Sequence, residues 1–223
     1  MGKLIIRPGT LEDVDNVQSI ANEAKTLPFL GGFTMRDVIV GLYEKNKELP
    51  YNIVAELDGK IVGFSDSKNK NLSYTEYDLV AVEPELRRQH IGSAMYTYHL
   101  MRSALMGKRF MRDQTIHFNT VMQDGYLPRL GFKHIAGLRY KIRNFSTINW
   151  WTVPIEVETV KRFYNLATTG LHDVEFVELD SPNVLSRLEE YYQESKQLCK
   201  NIDEIVSLET NRGYVRELLK GEA

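Results

Sequence analysis

Residues 80–96 read Val-Ala-Val-Glu-Pro-Glu-Leu-Arg-Arg-Gln-His-Ile-Gly-Ser-Ala-Met-Tyr. The segment leading into Val82 has the composition of a strand, and Pro84 with a polar turn stops it. Ile91, Ala94, Met95, Tyr98, Met101 and Leu105 then recur at helical spacing, and Gly107 suits the end of that helix. A short turn of basic and small residues joins the two. Such a turn aims consecutive main-chain N–H groups and the positive end of a helix dipole at one point, an arrangement that suits a diphosphate. Gly92 has no Cβ and lets a ligand approach the backbone, while Arg87 and Arg88 supply charge-assisted donors.

Working outward, residues 3–7 form a short strand stopped by Pro8-Gly9. Thr10 and Asp13 suit a helix start, with Val14, Val17, Ile20, Ala21 and Ala24 at helical spacing. A second helix is expected from Thr34. Two apolar runs, 52–57 and 60–67, flank Asp58-Gly59, a strong short-range hairpin signal. After a polar loop, residues 74–82 form the strand that feeds the basic turn. Beyond the central helix, 115–119 is expected as a strand, 121–130 as a short helix, and 134–143 as one or two strands broken at Gly137. The order is β-α-α-β-β-β-α-β-α-β. From residue 150 the character changes. A helix over 159–168, a strand over 174–179 and a helix opening at Ser181-Pro182 are read as a C-terminal extension of the domain formed by residues 1–149.

The net charge of −2 hides an uneven distribution. Residues 1–86 carry nine Lys/Arg against fourteen Asp/Glu, and residues 150–223 carry eight against fourteen. Residues 87–149 carry eleven against two, a net of +9. That block fits an anionic ligand near the middle third, and equally fits internal pairing with the acidic segments on either side. The single cysteine, Cys199, excludes an internal disulfide and a multi-cysteine metal site, and points to a reducing, cytoplasmic setting. No apolar stretch approaches the ~18 residues that a membrane helix needs.

With its strand at residues 80–84, its loop from Arg87 through Gly92, and Leu130-Gly131-Phe132 at the expected distance downstream, the chain resembles the GNAT superfamily of acyl-CoA N-acyltransferases. The resemblance spans about residues 3 to 143. It implies a mixed, mostly antiparallel central sheet flanked by helices, an α/β (α+β) fold with an α/β extension. The implied cofactor is acetyl-CoA or another acyl-CoA. Main-chain groups of Val80 and Val82 would hold its pantetheine arm. Amides of Arg88, Gln89, His90, Ile91, Gly92 and Ser93 would hold its pyrophosphate, with Arg87 and Arg88 near its phosphates. Asn119 stands where members of the family often end the next strand. The sequence departs from the family at His90, where a glycine is usual.

Transfer to an amine requires a neutral nitrogen, so a base must take a proton. Strict alternation along residues 74–82 would put Glu76, Asp78, Val80 and Val82 on one face, with both acids beside the acyl end of the cofactor track. Glu76 is the favoured base, and Asp78 the second. A solvated strand end is the bland reading of Glu76. His117, on the neighbouring expected strand, could relay a proton or be a hydrogen-bonded core residue. The tyrosine that relatives use to protonate the departing thiolate falls at Leu127. Tyr126 is adjacent, and one residue rotates a helical side chain by about 100°, which argues against that role.

No Ser-His-Asp signature, Walker loop or His-Glu-x-x-His motif is present, so hydrolase, nucleotide-triphosphatase and zinc chemistry lack support. The acceptor is an amine on a small molecule or a protein. The basic block raises nucleic acid, or a protein bound to it, as an alternative target. The departures at His90 and Leu127 raise a second alternative, a regulatory module that binds acyl-CoA without turnover.

Overall fold

The computed structural model describes residues 2–23, 52–69, 74–116, 119–139 and 147–179, together with Ser186. The helix expected from Thr34, the loop at 70–73, His117 and the helices expected after Ser181 lie outside the described residues. Eight strands form one sheet: β1 (Lys3–Pro8), β2 (Asn52–Leu57), β3 (Lys60–Asn69), β4 (Tyr74–Val82), β5 (Phe110–Ile116), β6 (Lys133–Arg139), β7 (Thr147–Pro154) and β8 (Asp173–Phe176). Their order across the sheet is β6-β7-β5-β4-β3-β2-β1-β8. Only β4 with β5 and β1 with β8 pair in parallel. The helices are α1 (Val14–Glu23), α2 (Ile91–Leu105), α3 (Leu127–Leu130) and α4 (Val157–Thr168). Among the described residues no helix is long and apolar enough to cross a membrane.

Each face of the sheet buries its own apolar cluster. Val14, Val17, Ile20 and Ala21 of α1 cover Val54, Ile61, Phe64 and Ala81 on one side. On the other, α2 lays Ile91, Ala94, Met95, Tyr98 and Met101 into a larger core with Ile53, Ala55, Val62 and Tyr77, joined by Val160 and Phe163 of α4. Burial of each such side chain contributes about 1.5–3 kcal/mol. The hairpin turn falls where Asp58-Gly59 placed it, with φ of 50° and 86°.

Two features of the sheet shape the site. First, β4 pairs with β5 only from Tyr74↔Phe110 to Tyr77↔Asp113, after which the strands part. Residues 79–82 remain bonded to β3 on one side, and among the described residues no strand pairs with them on the other. Second, the β3–β4 register shifts at the same level: Asp66 opposes Leu79 while Ser67 opposes Tyr77. Asp78 is therefore an extra residue in β4, a β-bulge.

The bulge corrects the expected alternation. Tyr77, Val80 and Val82 pack with the α2-side core, whereas Leu79 and Ala81 belong to the α1 side. Glu76, next to Tyr77, therefore lies on the face opposite Val80 and Val82, because the inserted residue flips the two-residue period. Three further expectations change. The strand expected at 115–119 begins earlier, at Phe110. β7 was not expected, and it straddles the boundary drawn at 149/150, lying between β5 and β6. The segment after it is built into the same body: α4 packs on α2, and β8 extends the sheet beside β1.

Candidate active site

The fork between β4 and β5 opens beside the N-terminus of α2. Pro84–Leu86 form a 3-10 turn, and residues 87–90 then lead into the helix. Arg88 and His90 both take left-handed φ, 65° and 66°. His90 thus adopts the conformation that a glycine would favour, at a cost of about 1–2 kcal/mol for a residue with a Cβ. No side chain caps α2. Among the described residues the N–H groups of its first turn, from Ile91 to Ser93, have no side-chain acceptor, and they sit at the positive end of a fifteen-residue helix.

Gly92 adds a second indication. Among the described residues a Cβ there would meet only Tyr126 Oη, at 3.6 Å, an ordinary contact. Protein packing therefore does not require glycine at this position, whereas close approach of a ligand to the backbone would. Arg87, Arg88 and His90 are exposed around the turn. Arg87 Nε donates to the carbonyl of Val82 at 3.2 Å, so that carbonyl, expected to face the cofactor arm, is shared with a surface arginine. Gln89 turns its side chain inward, where Oε1 accepts from His172 Nε2 at 2.9 Å.

The residues gathered on the α2 side of the fork are largely aromatic and polar. The rings of Tyr77 and Tyr96 stack at 3.8 Å between centroids, and Tyr96 Oη donates a short hydrogen bond to buried Asp113. Tyr126 meets the edge of Tyr96 at 5.5 Å, and its Oη lies 3.1 Å from Ser93 Oγ. Burial raises the Tyr126 pKa, opposed in part by the Ser93 hydrogen bond. Deeper in, His99 bridges Ser65 Oγ at 2.9 Å and Ser67 Oγ at 2.8 Å, and burial pulls its pKa down to about 3.

Tyr126 reaches this place through an irregularity. Residues Val121–Tyr126 form a π turn, in which the N–H of Leu127 reaches back to Met122 O. The wider turn accommodates one extra residue before α3. Leu127 is thereby rotated into the core, fully buried, and Tyr126 faces the fork. The expectation that a one-residue offset turns Tyr126 away assumed a regular helix. Asn119 lies just before the π turn, its Oδ1 accepting from Met122 N at 3.3 Å.

Glu76 lies on the opposite side of the sheet. It is buried, and its Oε2 accepts from both Nε (2.9 Å) and NH2 of Arg112, its partner across β4 and β5. The guanidinium sits between the rings of Tyr74 and Trp150, 4.5 Å and 4.1 Å from their centroids. The solvated strand end offered as the bland reading of Glu76 is therefore replaced by a buried ion pair.

The mixed, mostly antiparallel sheet flanked by helices is the one that the resemblance implied, and the structure adds a fork between β4 and β5 beside the N-terminus of α2. Residues 50–134 match the family described as the Acetyltransferase (GNAT) domain. Over that stretch the chain is similar to a GNAT acetyltransferase domain. Acyl-CoA-dependent N-acyltransfer is the chemistry of this family, and acetyl-CoA its usual donor. No curated protein matches the chain. Among solved structures, Ard1 from Thermoplasma volcanium is 19% identical with a TM-score of 0.58, over 68% of this chain and 97% of that one. The putative acetyltransferase yncA from Salmonella typhimurium, solved with acetyl-CoA, is 18% identical with a TM-score of 0.58, over 69% and 94%. A ribosomal-protein-alanine N-acetyltransferase from Brucella melitensis is 18% identical with a TM-score of 0.56, over 67% and 98%. At these identities the likeness is one of fold. The GNAT match ends at residue 134, so β7, α4 and β8 lie beyond it.

Proposed function

We propose that the chain transfers an acetyl group from acetyl-CoA directly to an amine, with the cofactor's diphosphate on the amides of residues 88–93 and its pantetheine arm along residues 78–82 of β4. The observation that carries this reading is the uncapped N-terminus of α2 behind a left-handed turn, at a glycine whose missing Cβ no atom of the described residues requires. The unpaired edge of β4 beside it offers main-chain groups to an extended ligand, in the manner of strand addition. Exposed Arg87 and Arg88 add charge for the phosphates.

In the transfer, the amine nitrogen forms a bond to the thioester carbonyl carbon and the carbon–sulfur bond breaks. The proton lost by the amine goes to a base, and the departing thiolate takes one from an acid. Tyr126 is assigned as the acid. Its raised pKa keeps the hydroxyl protonated at neutral pH, and its ring meets Tyr96, which stacks on Tyr77 at the base of the fork. Asp78 is assigned as the base in place of Glu76. Glu76 is committed to Arg112, whereas Asp78 occupies the bulge, the first β4 position past the last pair with β5. His117 keeps the role of proton relay in this scheme.

Both departures that suggested a module without turnover have structural counterparts that favour the enzyme. His90 adopts the left-handed shape without a glycine, and the π turn delivers Tyr126 where Leu127 was expected to fail. The acceptor, on a small molecule or a protein, is left as an amine of open identity. Isothermal titration with acetyl-CoA tests the cofactor assignment, and mass spectrometry of a panel of amines and peptides incubated with the enzyme tests transfer. Saturable binding and a 42 Da gain on at least one amine are expected. No detectable heat at sub-millimolar acetyl-CoA would refute the reading.

A further inference from the structure

We propose that the turn after α4, through Gly170 and His172, is the positioning element of the diphosphate loop and sets the preference for whole CoA over fragments that lack the diphosphate. The inference rests on the cofactor reading above. Arg88 and His90 hold left-handed φ without being glycines, so something else must stabilise the loop in that shape. The segment after α4 supplies it. His172, more than eighty residues away in sequence, is buried and donates from Nε2 to Gln89 Oε1 at 2.9 Å. An amide oxygen only accepts, so the proton resides on Nε2. Nδ1 is buried and has no hydrogen-bond partner among the described residues, so the ring's hydrogen bonding there is directed at the loop.

Gly170 makes the complementary contribution by steric means. A Cβ on it would stand 3.1 Å from His90 Cβ and 3.3 Å from the carbonyl oxygen of Gln89. The family's usual glycine is thus replaced by a histidine in the loop, and the space which that side chain needs is provided by a glycine on the facing turn. The two elements are tied together one turn further along: Thr97 Oγ1 of α2 donates to Phe163 O of α4 at 3.0 Å and to Ser93 O at 2.8 Å. The loop's geometry therefore depends on residues beyond the GNAT match.

Titration of CoA and of pantetheine, which has no diphosphate, into the full-length chain and its variants tests this, with pantetheine measured by competition. His172→Ala is expected to weaken CoA by about tenfold while pantetheine stays within about twofold. His172→Gln, which can still donate to Gln89, should recover most of the loss. Gly170→Ala should also weaken CoA selectively, and adding His90→Gly to it should restore part of the affinity. An equal loss for both ligands, or unchanged CoA affinity in His172→Ala and Gly170→Ala, overturns the inference alone. A wild-type chain that binds no CoA overturns the cofactor reading and this inference with it.

Discussion

Tyr126 Oη lies 3.1 Å from Ser93 Oγ and 3.6 Å from the place where a Cβ on Gly92 would stand, so one hydroxyl reaches across from the π turn to the mouth of α2. If Tyr126 protonates the thiolate, Tyr126→Phe should lower kcat by about 10²-fold, at the lower end for a general acid, with little change in CoA affinity. Release of free thiol with the best amine of a panel measures it. A variant with unchanged kcat would return Tyr126 to a packing role. Because burial raises its pKa, the hydroxyl stays protonated as pH rises, and kcat should show no falling limb from it below about pH 10.

Gly92→Val separates ligand approach from folding. Among the described residues only Tyr126 Oη comes within 4 Å of a Cβ at this position, so the variant should fold and melt within a few degrees of wild type. The branched side chain would fill the space over the amides of the first helical turn. CoA binding should fall by at least about a hundredfold, some 2.7 kcal/mol. Near-normal affinity in a folded variant would place the diphosphate elsewhere.

Local signals made much of this fold legible. The hairpin at Asp58-Gly59, the end of β4 at Val82 and the start of α2 at Ile91 depend on turn chemistry and periodicity within a few residues. What escaped depends on distant partners. Phe110–Ile116 contains Arg112 and Asp113, charges that argue against a buried strand unless Glu76 and Tyr96 are known to receive them. The bulge at Asp78 exists because β3 and β4 are out of register by one, and neither strand announces that alone. The π turn before Tyr126 is of the same kind: its extra residue is set by how Leu127 and Leu130 seat in the core. The turn from β4 into α2 was therefore readable, whereas the facing of the acidic residues and of Tyr126 was not.

Glu76→Gln and Asp78→Asn should fail in different ways. Glu76 is buried in its pair with Arg112, and breaking such a pair leaves a desolvated guanidinium between Tyr74 and Trp150. A loss of about 3 kcal/mol is expected, or roughly 6–12 °C in Tm for a chain of this size. Asp78→Asn should instead lower kcat by about 10²-fold and shift the ascending limb of the pH–rate profile. If Glu76→Gln melts normally yet abolishes turnover, the base assignment belongs to Glu76 after all.

His99 supplies a stability prediction independent of any ligand. Its folded pKa is about 3, chiefly because burial between Ser65 and Ser67 disfavours the charged ring. In the unfolded chain a histidine titrates near its ordinary value of about 6.5. Between those two values the unfolded state holds a proton that the folded state lacks, so stability rises with pH across that window. Above it, neither state is protonated and the neutral ring contributes fully. As pH falls from about 6.5 towards 3, this one group should remove up to about 1.4 kcal/mol per pH unit. Denaturant melts at pH 7, 6, 5 and 4 would measure the slope, and His99→Gln, which keeps a neutral hydrogen-bonding side chain, should flatten it by about that amount. Parallel slopes for the two proteins would mean that His99 titrates normally in the fold and that water reaches it.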